Sequence, residues 1–342
     1  MRSLFSLGLT ILCTSLLVGV LTGCESDLAR KISAYESTRD YEAAKSLLQR
    51  TVQSDPENAE AQFLLGRLHL QEGSYQKGRQ ALEASREASP KYVERIDFLI
   101  EKNARERFLE GKEAMEAESF GQAVRHFQHM TQVQPSNALG HRMLGHALIQ
   151  NGQKRDAESV YRKALNLEPE NLETLNNLAS LAFQRGAYQT SIEYALRALD
   201  REVKEPQVIE RLAYAYAQTG QPEKAEARFS QALERNPSAE LRYDYALFLF
   251  NQERYQKALP LLQQLARGDN PEVVLVKAMA ETHYALENYQ SALETYLRLH
   301  DRLPNDRGVL QNVVISYEKL EQYDKADAYR ARLSGGRDAA NE

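Results

Sequence analysis

The stretch ALGHRMLGHALIQNGQKRDAESVYRKALNLEPEN, from Ala138 to Asn171, decides the fold of this 342-residue chain. Its apolar residues recur three and four positions apart in two runs, which predicts two amphipathic helices. Gly152 stands between the runs, where the first helix ends and the chain turns. Pro169 ends the second helix, because proline disfavours helical backbone in the residue before it. The stretch is therefore predicted to be one helix–turn–helix unit.

The same pattern recurs along the chain with a period of about 34 residues, and a proline closes most of the periods. Six prolines keep this phase, each one or two periods after the last, except for one longer step. A fixed period of this length is typical of a helical repeat array. We predict nine units, two of them imperfect. The six prolines are Pro56, Pro90, Pro135, Pro169, Pro237 and Pro271.

The unit that begins at Ala138 resembles the tetratricopeptide repeat at the signature positions of that repeat. Most other units match the same pattern, although Gly78 stands where alanine is usual. The resemblance implies an all-α fold, a right-handed α-solenoid of about nine helix–turn–helix repeats in which each unit buries its apolar face on its neighbours. The matching residues are Leu144, Gly145, Leu148, Gly152, Ala157, Tyr161, Ala164 and Pro169.

One interruption divides the predicted array. The extra residues between Pro90 and Pro135 fall in Tyr92 to Asn103, a segment with helical character. Eleven residues make about three turns of α-helix, so Tyr92 to Ala117 is predicted to form one long helix. We therefore expect N-terminal repeat units at 24–91, the long helix and seven further units at 92–333, and a disordered polar tail at 334–342.

The N-terminal segment 1–23 is predicted to be a signal peptide that is removed. A basic start at Arg2 precedes an apolar run from Leu4 to Leu21. The sequence LTGC, which ends at Cys24, resembles a bacterial lipobox. That resemblance implies that the Cys24 thiolate accepts a diacylglyceryl group through a thioether and that acyl chains such as palmitate anchor the protein. The alternatives are an uncleaved membrane anchor and an ordinary signal with a chance cysteine.

The residue after the cysteine bears on location. In Gram-negative lipoproteins, aspartate at that position favours retention in the inner membrane, and this chain has Glu25 instead. The resemblance therefore implies a lipid-anchored protein of the bacterial cell envelope, at the outer membrane and facing the periplasm.

Composition and motifs argue for binding rather than catalysis. A net charge of −5 gives no basic footprint for nucleic acid. The S-x-x-K matches at Ser74 and Ser316 lack the companion motifs of serine acyltransferases. His126 and His129 lie three residues apart on one predicted helix, but no Cys, Asp or Glu nearby completes a convincing metal site. We predict no catalytic residues, no metal, no cofactor and no enzyme activity.

A predicted groove is the better candidate site. In tetratricopeptide arrays the first helix of each unit lines the concave face, and here that face combines aromatic, amide and arginine side chains, which suit peptide recognition. The alternative is that some of these residues are packing residues one position away from the groove. The candidates are Phe108, Arg142, His146, Asn177, Phe183, Arg211, Tyr214, Phe248, Lys277 and Tyr284.

A two-carboxylate clamp for the C-terminus of a peptide is a sharper hypothesis. Asn177 and Arg211 match that clamp, Arg142 and His146 are substitutes, and Gln207 lacks the required charge. Asparagine at the position of Asn177 is also common in repeats without a clamp, so its match adds little.

The sequence thus favours a non-enzymatic scaffold, anchored by lipid to the envelope, that holds partner proteins or peptides in its groove. The alternative is a structural component of an envelope export, pilus or exopolysaccharide secretion machine, which would use its convex faces. Neither the partners nor the pathway is indicated by the residues.

Overall fold

A computed structural model describes residues 26–199, 206–267 and 271–335 of the chain. Within these ranges every regular element is a helix, so the predicted all-α fold is confirmed. Sequence-adjacent helices pack against each other from Asp27 to Gln150, and again from Lys154 to Gly335. The predicted signal peptide (1–23), Cys24, Glu25 and residues 336–342 of the predicted tail lie outside the described residues.

The helices of the described ranges alternate as the first and second helices of the predicted repeats. A short 3₁₀ helix, Pro90–Tyr92, directly precedes the first helix of the third repeat. The first helices are α1 (Asp27–Ser37), α3 (Ala59–Gln71), α5 (Val93–Glu116), α7 (Ala138–Gln150), α9 (Leu172–Gln184), α11 (Pro206–Gln218), α13 (Ala239–Asn251), α15 (Val273–Ala285) and α17 (Arg307–Lys319). The second helices are α2 (Tyr41–Ser54), α4 (Tyr75–Ala88), α6 (Phe120–Val133), α8 (Lys154–Leu167), α10 (Tyr188–Leu199), α12 (Pro222–Arg235), α14 (Tyr255–Leu265), α16 (Tyr289–Arg302) and α18 (Tyr323–Gly335).

The turn after each of these first helices contains one residue with left-handed backbone, at φ between +54° and +79°. Successive positions lie one period apart, except for a longer step across the long helix and a step that is one residue short before Glu253. The backbone therefore confirms the predicted period and locates its two irregular steps. The nine positions in the described ranges are Arg39, Gly73, Glu118, Gly152, Gly186, Gly220, Glu253, Glu287 and Glu321.

The predicted long helix is present as α5, which begins and ends one residue inside the predicted bounds. Its added turns bury Ile96 and Ile100 in the same hydrophobic core as Leu68 of α3 and Val133 of α6. The insertion is therefore held by apolar packing along one side of the helix, and its other side is left exposed.

Gly78 departs from the usual alanine for a steric reason. A Cβ at this position would lie 2.7 Å from Cδ2 of Leu70 and 3.0 Å from the carbonyl oxygen of Gly66. Both distances are shorter than ordinary van der Waals contact, so α3 and α4 approach each other more closely than an alanine permits.

The chain forms two compact units, residues up to Asn151 and residues from Gly152 onward. They do not divide at residue 91, where the sequence separates the N-terminal repeats from the long helix. Each unit has its own core, with Phe127 fully buried in the first and Phe229 in the second. In the part of the chain that the structure describes, no helix has the length and apolar character needed to cross a membrane.

Candidate functional site

The first helices of the second unit are joined to one another by polar side chains. The Nη1 of Arg211 on α11 donates a hydrogen bond to Oδ1 of Asn176 on α9, at 2.5 Å. The hydroxyl of Tyr214, also on α11, donates to Oδ2 of Asp244 on α13. Two predicted groove residues therefore span consecutive repeats. We call Asn176, Arg211, Tyr214, Asp244 and Phe248 the α9–α13 face.

Local sequence fixes where α9 and α11 begin. The Oδ1 of Asn171 accepts a hydrogen bond from the backbone N–H of Thr174 at 3.0 Å and so caps the N-terminus of α9. Pro206 is the first residue of α11, where its fixed φ suits a helix and its missing N–H costs nothing. These starts set the positions of Asn176 and Arg211 along their helices.

An aromatic cluster in the core packs against the α9–α13 face. The Phe229 ring of α12 is only 1% exposed, and the ring centres of Tyr214 and Phe248 lie 5.1 Å and 5.2 Å from it. Tyr245 stacks on the same ring at 5.4 Å, and burial raises its pKa to about 12. Because the rings of Tyr214, Tyr245 and Phe248 all pack against Phe229, core packing fixes the positions of Tyr214 and Phe248.

Carboxylates surround Arg211 and Tyr214. Burial raises the pKa of Glu210, and the neighbouring charges of Glu240 and Asp244 raise it further, while Arg211 opposes the effect. The pKa of Tyr214 is also raised, first by burial and then by its hydrogen bond to Asp244. With Glu210 and Glu240 beside it, the α9–α13 face has three carboxylates around one arginine. Sequence reasoning named Arg211 and Tyr214 but missed Asp244 and Glu210, whose side-chain directions the repeat pattern does not reveal.

Asn177 is half-buried and makes a hydrogen bond to a core residue. Its Nδ2 donates to the hydroxyl of Tyr161 at 3.2 Å, and Tyr161 is 1% exposed. Burial raises the pKa of this tyrosine, so its hydroxyl stays protonated and the amide gives it a partner. Both residues that match the clamp, Asn177 and Arg211, thus have partners within the chain.

Phe183 and Tyr284 pack edge-on against the tyrosine that begins the next helix. Their ring centres lie 5.3 Å from Tyr188 and 5.4 Å from Tyr289. The same arrangement recurs where Phe250 meets Tyr255, so it stabilises the turn within a repeat. These two groove candidates therefore have a packing role as well. The remaining candidate of the second unit, Lys277, has an exposed side chain on α15.

Three groove candidates lie in the first unit. Phe108 on α5 is half-buried, with its ring centre 6.4 Å from that of Phe127. On α7, Arg142 is half-buried and His146 is exposed, with its Nε2 3.4 Å from Nε2 of Gln150. Arg142 and His146 thus belong to a different compact unit from Asn177 and Arg211.

The paired histidines of α6 have separate neighbours. The Nδ1 of His126 lies 2.9 Å from Oε2 of Glu110, whereas the ring of His129 lies 4.5 Å from that of Tyr75. Burial lowers the pKa of His129, and the charge of Arg107 lowers it further. Among the described residues, no group of three or more His, Cys, Asp or Glu is placed to hold a metal ion.

These features define a helical-repeat protein with a polar and aromatic face on its first helices. A sequence model of the tetratricopeptide repeat matches residues 30–93, 142–203 and 210–272, which together make up more than half of the chain. The chain therefore belongs to the tetratricopeptide repeat family, and it is a scaffold-like protein of the kind that binds protein partners.

Several solved structures are similar to this chain. YrrB, described as a tetratricopeptide protein with an unusual peptide-binding site, is 19% identical with a TM-score of 0.48, over 54% of this chain and 96% of its own. PilF of Pseudomonas aeruginosa is 18% identical with a TM-score of 0.44, over 65% of this chain and 98% of its own. A tetratricopeptide repeat protein from Parabacteroides merdae is 15% identical with a TM-score of 0.46, over 68% of this chain and 99% of its own.

Proposed function

We propose that this protein is a non-enzymatic scaffold, anchored by lipid to the bacterial envelope, that holds a peptide segment of a partner protein on the α9–α13 face. The observation that carries the proposal is the pair of side-chain links between consecutive first helices, Arg211 to Asn176 and Tyr214 to Asp244. Side chains already held in place lose less conformational freedom on binding.

The charges of the face favour one kind of partner. Glu210, Glu240 and Asp244 lie around Arg211; burial raises the pKa of Glu210 most, and repulsion from Glu240 and Asp244 raises it further. An incoming C-terminal carboxylate would add to that repulsion, whereas a lysine or arginine would relieve it. Tyr214 and Phe248 supply apolar surface beside these charges. We therefore expect a segment with a basic residue next to an apolar one, in place of the carboxylate recognised by a clamp.

The anchor and the location rest on sequence alone. The lipobox-like LTGC ending at Cys24 supports acylation of that cysteine, and Glu25 supports the outer membrane over the inner one. Several acyl chains on one residue hold a protein at a membrane far more firmly than a single chain does. The scaffold would then present its repeats to the periplasm.

Photo-crosslinking in cells tests the binding face. A photoreactive phenylalanine at Phe248 reports on the α9–α13 face, and the same residue at Leu196, which is 39% exposed on the second helix α10, is the matched control. We expect a discrete partner adduct from position 248 that is lost with Tyr214→Ala. Adducts from position 196 alone would instead support the structural subunit that uses its convex faces.

A further inference from the structure

The second helices α4 and α6 make a contact that the repeat pattern does not require. Elsewhere within either compact unit, neighbouring second helices of the described ranges do not contact each other to this extent. The insertion in the repeat lies in α5, between these two helices in the chain. The α4–α6 contact is therefore particular to this part of the array.

A histidine and a tyrosine meet at this contact. The ring centre of His129 on α6 lies 4.5 Å from that of Tyr75 on α4, with the ring planes 36° apart. Tyr75 is 7% exposed and belongs to the same hydrophobic core as Leu82. His129 is half-buried. The imidazole thus lies on apolar surface, where its neutral form is favoured.

Positive charge surrounds the two rings. The guanidinium carbon of Arg107 on α5 lies 5.8 Å from the ring centre of Tyr75, so this ring already faces one cation. Arg125, which is exposed on α6, and His126 when it is protonated also disfavour a proton on His129. A positive charge on His129 would therefore be repelled from two helices.

The carboxylate that opposes these charges is already shared. The Oε2 of Glu110 lies 2.8 Å from Nη1 of Arg107 and 2.9 Å from Nδ1 of His126. Among the described residues, neither α4 nor α7, the other helices packed against α6, adds a charge that acts on the His129 ring. Burial and then Arg107 therefore outweigh Glu110 and lower the pKa of His129.

We propose that Tyr75, Arg107, Glu110, His126 and His129 form a pH-sensitive latch between the second and third repeats, closed while His129 is neutral and opened when this ring gains a proton. A protonated ring on Tyr75 would lie beside Arg107 with no carboxylate of its own, whereas water solvates it fully. The closed contact is favoured most above about pH 6.5, and this preference is lost as the pH falls toward the lower pKa of the closed state.

The latch lies wholly within the first compact unit and shares no residue with the α9–α13 face. It can therefore open whether or not a partner is held there. Its output is the separation of α4 from α6, and histidine places this change in mild acid.

Two spin labels measure the latch on the full-length chain in neutral detergent. Cys13→Ser and Cys24→Ser remove both native thiols, and Gln80→Cys on α4 with Gln132→Cys on α6 places the labels at exposed positions. Electron paramagnetic resonance should give one short distance at pH 7.5. At pH 5.5 we expect a second, longer distance, with its population raised about threefold or more.

Variants separate the latch from a general effect of acid. His129→Phe keeps a ring against Tyr75 but cannot gain a proton, so it should stay closed at both pH values. Arg107→Gln removes the competing cation and should reduce the change by about half or more. His146→Gln changes an exposed ring on α7 and should respond like the wild type.

A label pair in the second unit is the matched control. Lys163 on α8 and Leu196 on α10 are exposed on neighbouring second helices, and their labels should keep one distance at both pH values. Equal distances at pH 7.5 and pH 5.5 for the α4–α6 pair, or equal opening of His129→Phe, would overturn the proposal. If His129→Phe loses its helical circular dichroism, the NMR titration of the His129 ring in the otherwise unchanged chain decides: a midpoint below about 6.5 supports the latch, and one at or above it overturns the latch.

Discussion

Tyr214 donates its hydroxyl hydrogen to Asp244, thirty residues further along the chain, and so ties α11 to α13. The ring of Tyr214 meets the buried Phe229 edge-on, with the planes 85° apart. The tyrosine thus contacts the core with its ring and the next repeat with its hydroxyl. A residue predicted for ligand contact also holds two repeats in register.

Tyr214→Phe should therefore lower stability while keeping the ring packing. A hydrogen bond to a charged acceptor contributes about 1.5–3 kcal/mol to stability. The substitution removes the hydroxyl donor, so the half-buried carboxylate of Asp244 loses its hydrogen bond from Tyr214. We expect a lower urea midpoint by circular dichroism. Tyr188→Phe is the control, because the Tyr188 hydroxyl has no hydrogen-bond partner among the described residues. Equal midpoints for the two variants would show that the link contributes nothing.

The repeat turns offer a second prediction, because the same backbone position holds glycine in some units and a charged residue in others. Glu287 has φ +61°, which costs a residue with a Cβ about 1 kcal/mol or more. Glu287→Gly should raise the free energy of unfolding by up to about 1 kcal/mol, and Gly186→Ala should lower it by about as much. A Cβ at Gly186 would meet no described heavy atom within 4 Å, so only the backbone is tested.

Glu287→Ala separates the backbone from the carboxylate in that experiment. It removes the charge but keeps the strained turn, so its melting temperature should stay close to that of the wild type. If Glu287→Ala stabilised the protein as much as Glu287→Gly, the gain would come from loss of the carboxylate and the argument from φ would be wrong.

The turns also show what the sequence could and could not reveal. Gly152 and Gly186 mark their turns directly, since left-handed backbone favours glycine, and they helped to predict the period. Glu118 and Glu287 carry no such signal and are placed only by counting from neighbouring units. Asp244 could not be assigned to the site at all, because its partner is fixed by side-chain directions across a repeat interface and not by spacing along the helix.

Buried histidines predict a dependence of stability on pH. His283 is 9% exposed, its Nδ1 has no hydrogen-bond partner among the described residues, and burial lowers its pKa. The folded state therefore favours the neutral ring, and the unfolded state binds more protons once the pH falls below about 6.5. The stabilisation is complete above that pH and is lost as the pH falls toward the lower pKa of the folded state.

We expect the melting temperature to fall between about pH 7.5 and pH 5.5, and His283→Gln to show a smaller fall than the wild type. His69 and His129, whose pKa values are also lowered mainly by burial, account for part of the remaining slope. His146→Gln changes an exposed ring and is the control. Identical pH slopes for wild type and His283→Gln would exclude His283 as a contributor.

Cys24→Ser tests the proposed anchor, because serine keeps the size of the side chain but removes the thiolate that accepts the diacylglyceryl group. In bacterial cells fed radioactive palmitate, the wild-type chain should be labelled and should sediment with membranes, and the variant should be unlabelled. Cys13→Ser is the matched control: Cys13 lies inside the predicted signal peptide, so its loss should leave labelling unchanged. Membrane retention of both variants without palmitate on either would favour an uncleaved apolar anchor at the N-terminus, and the lipoprotein assignment would be wrong.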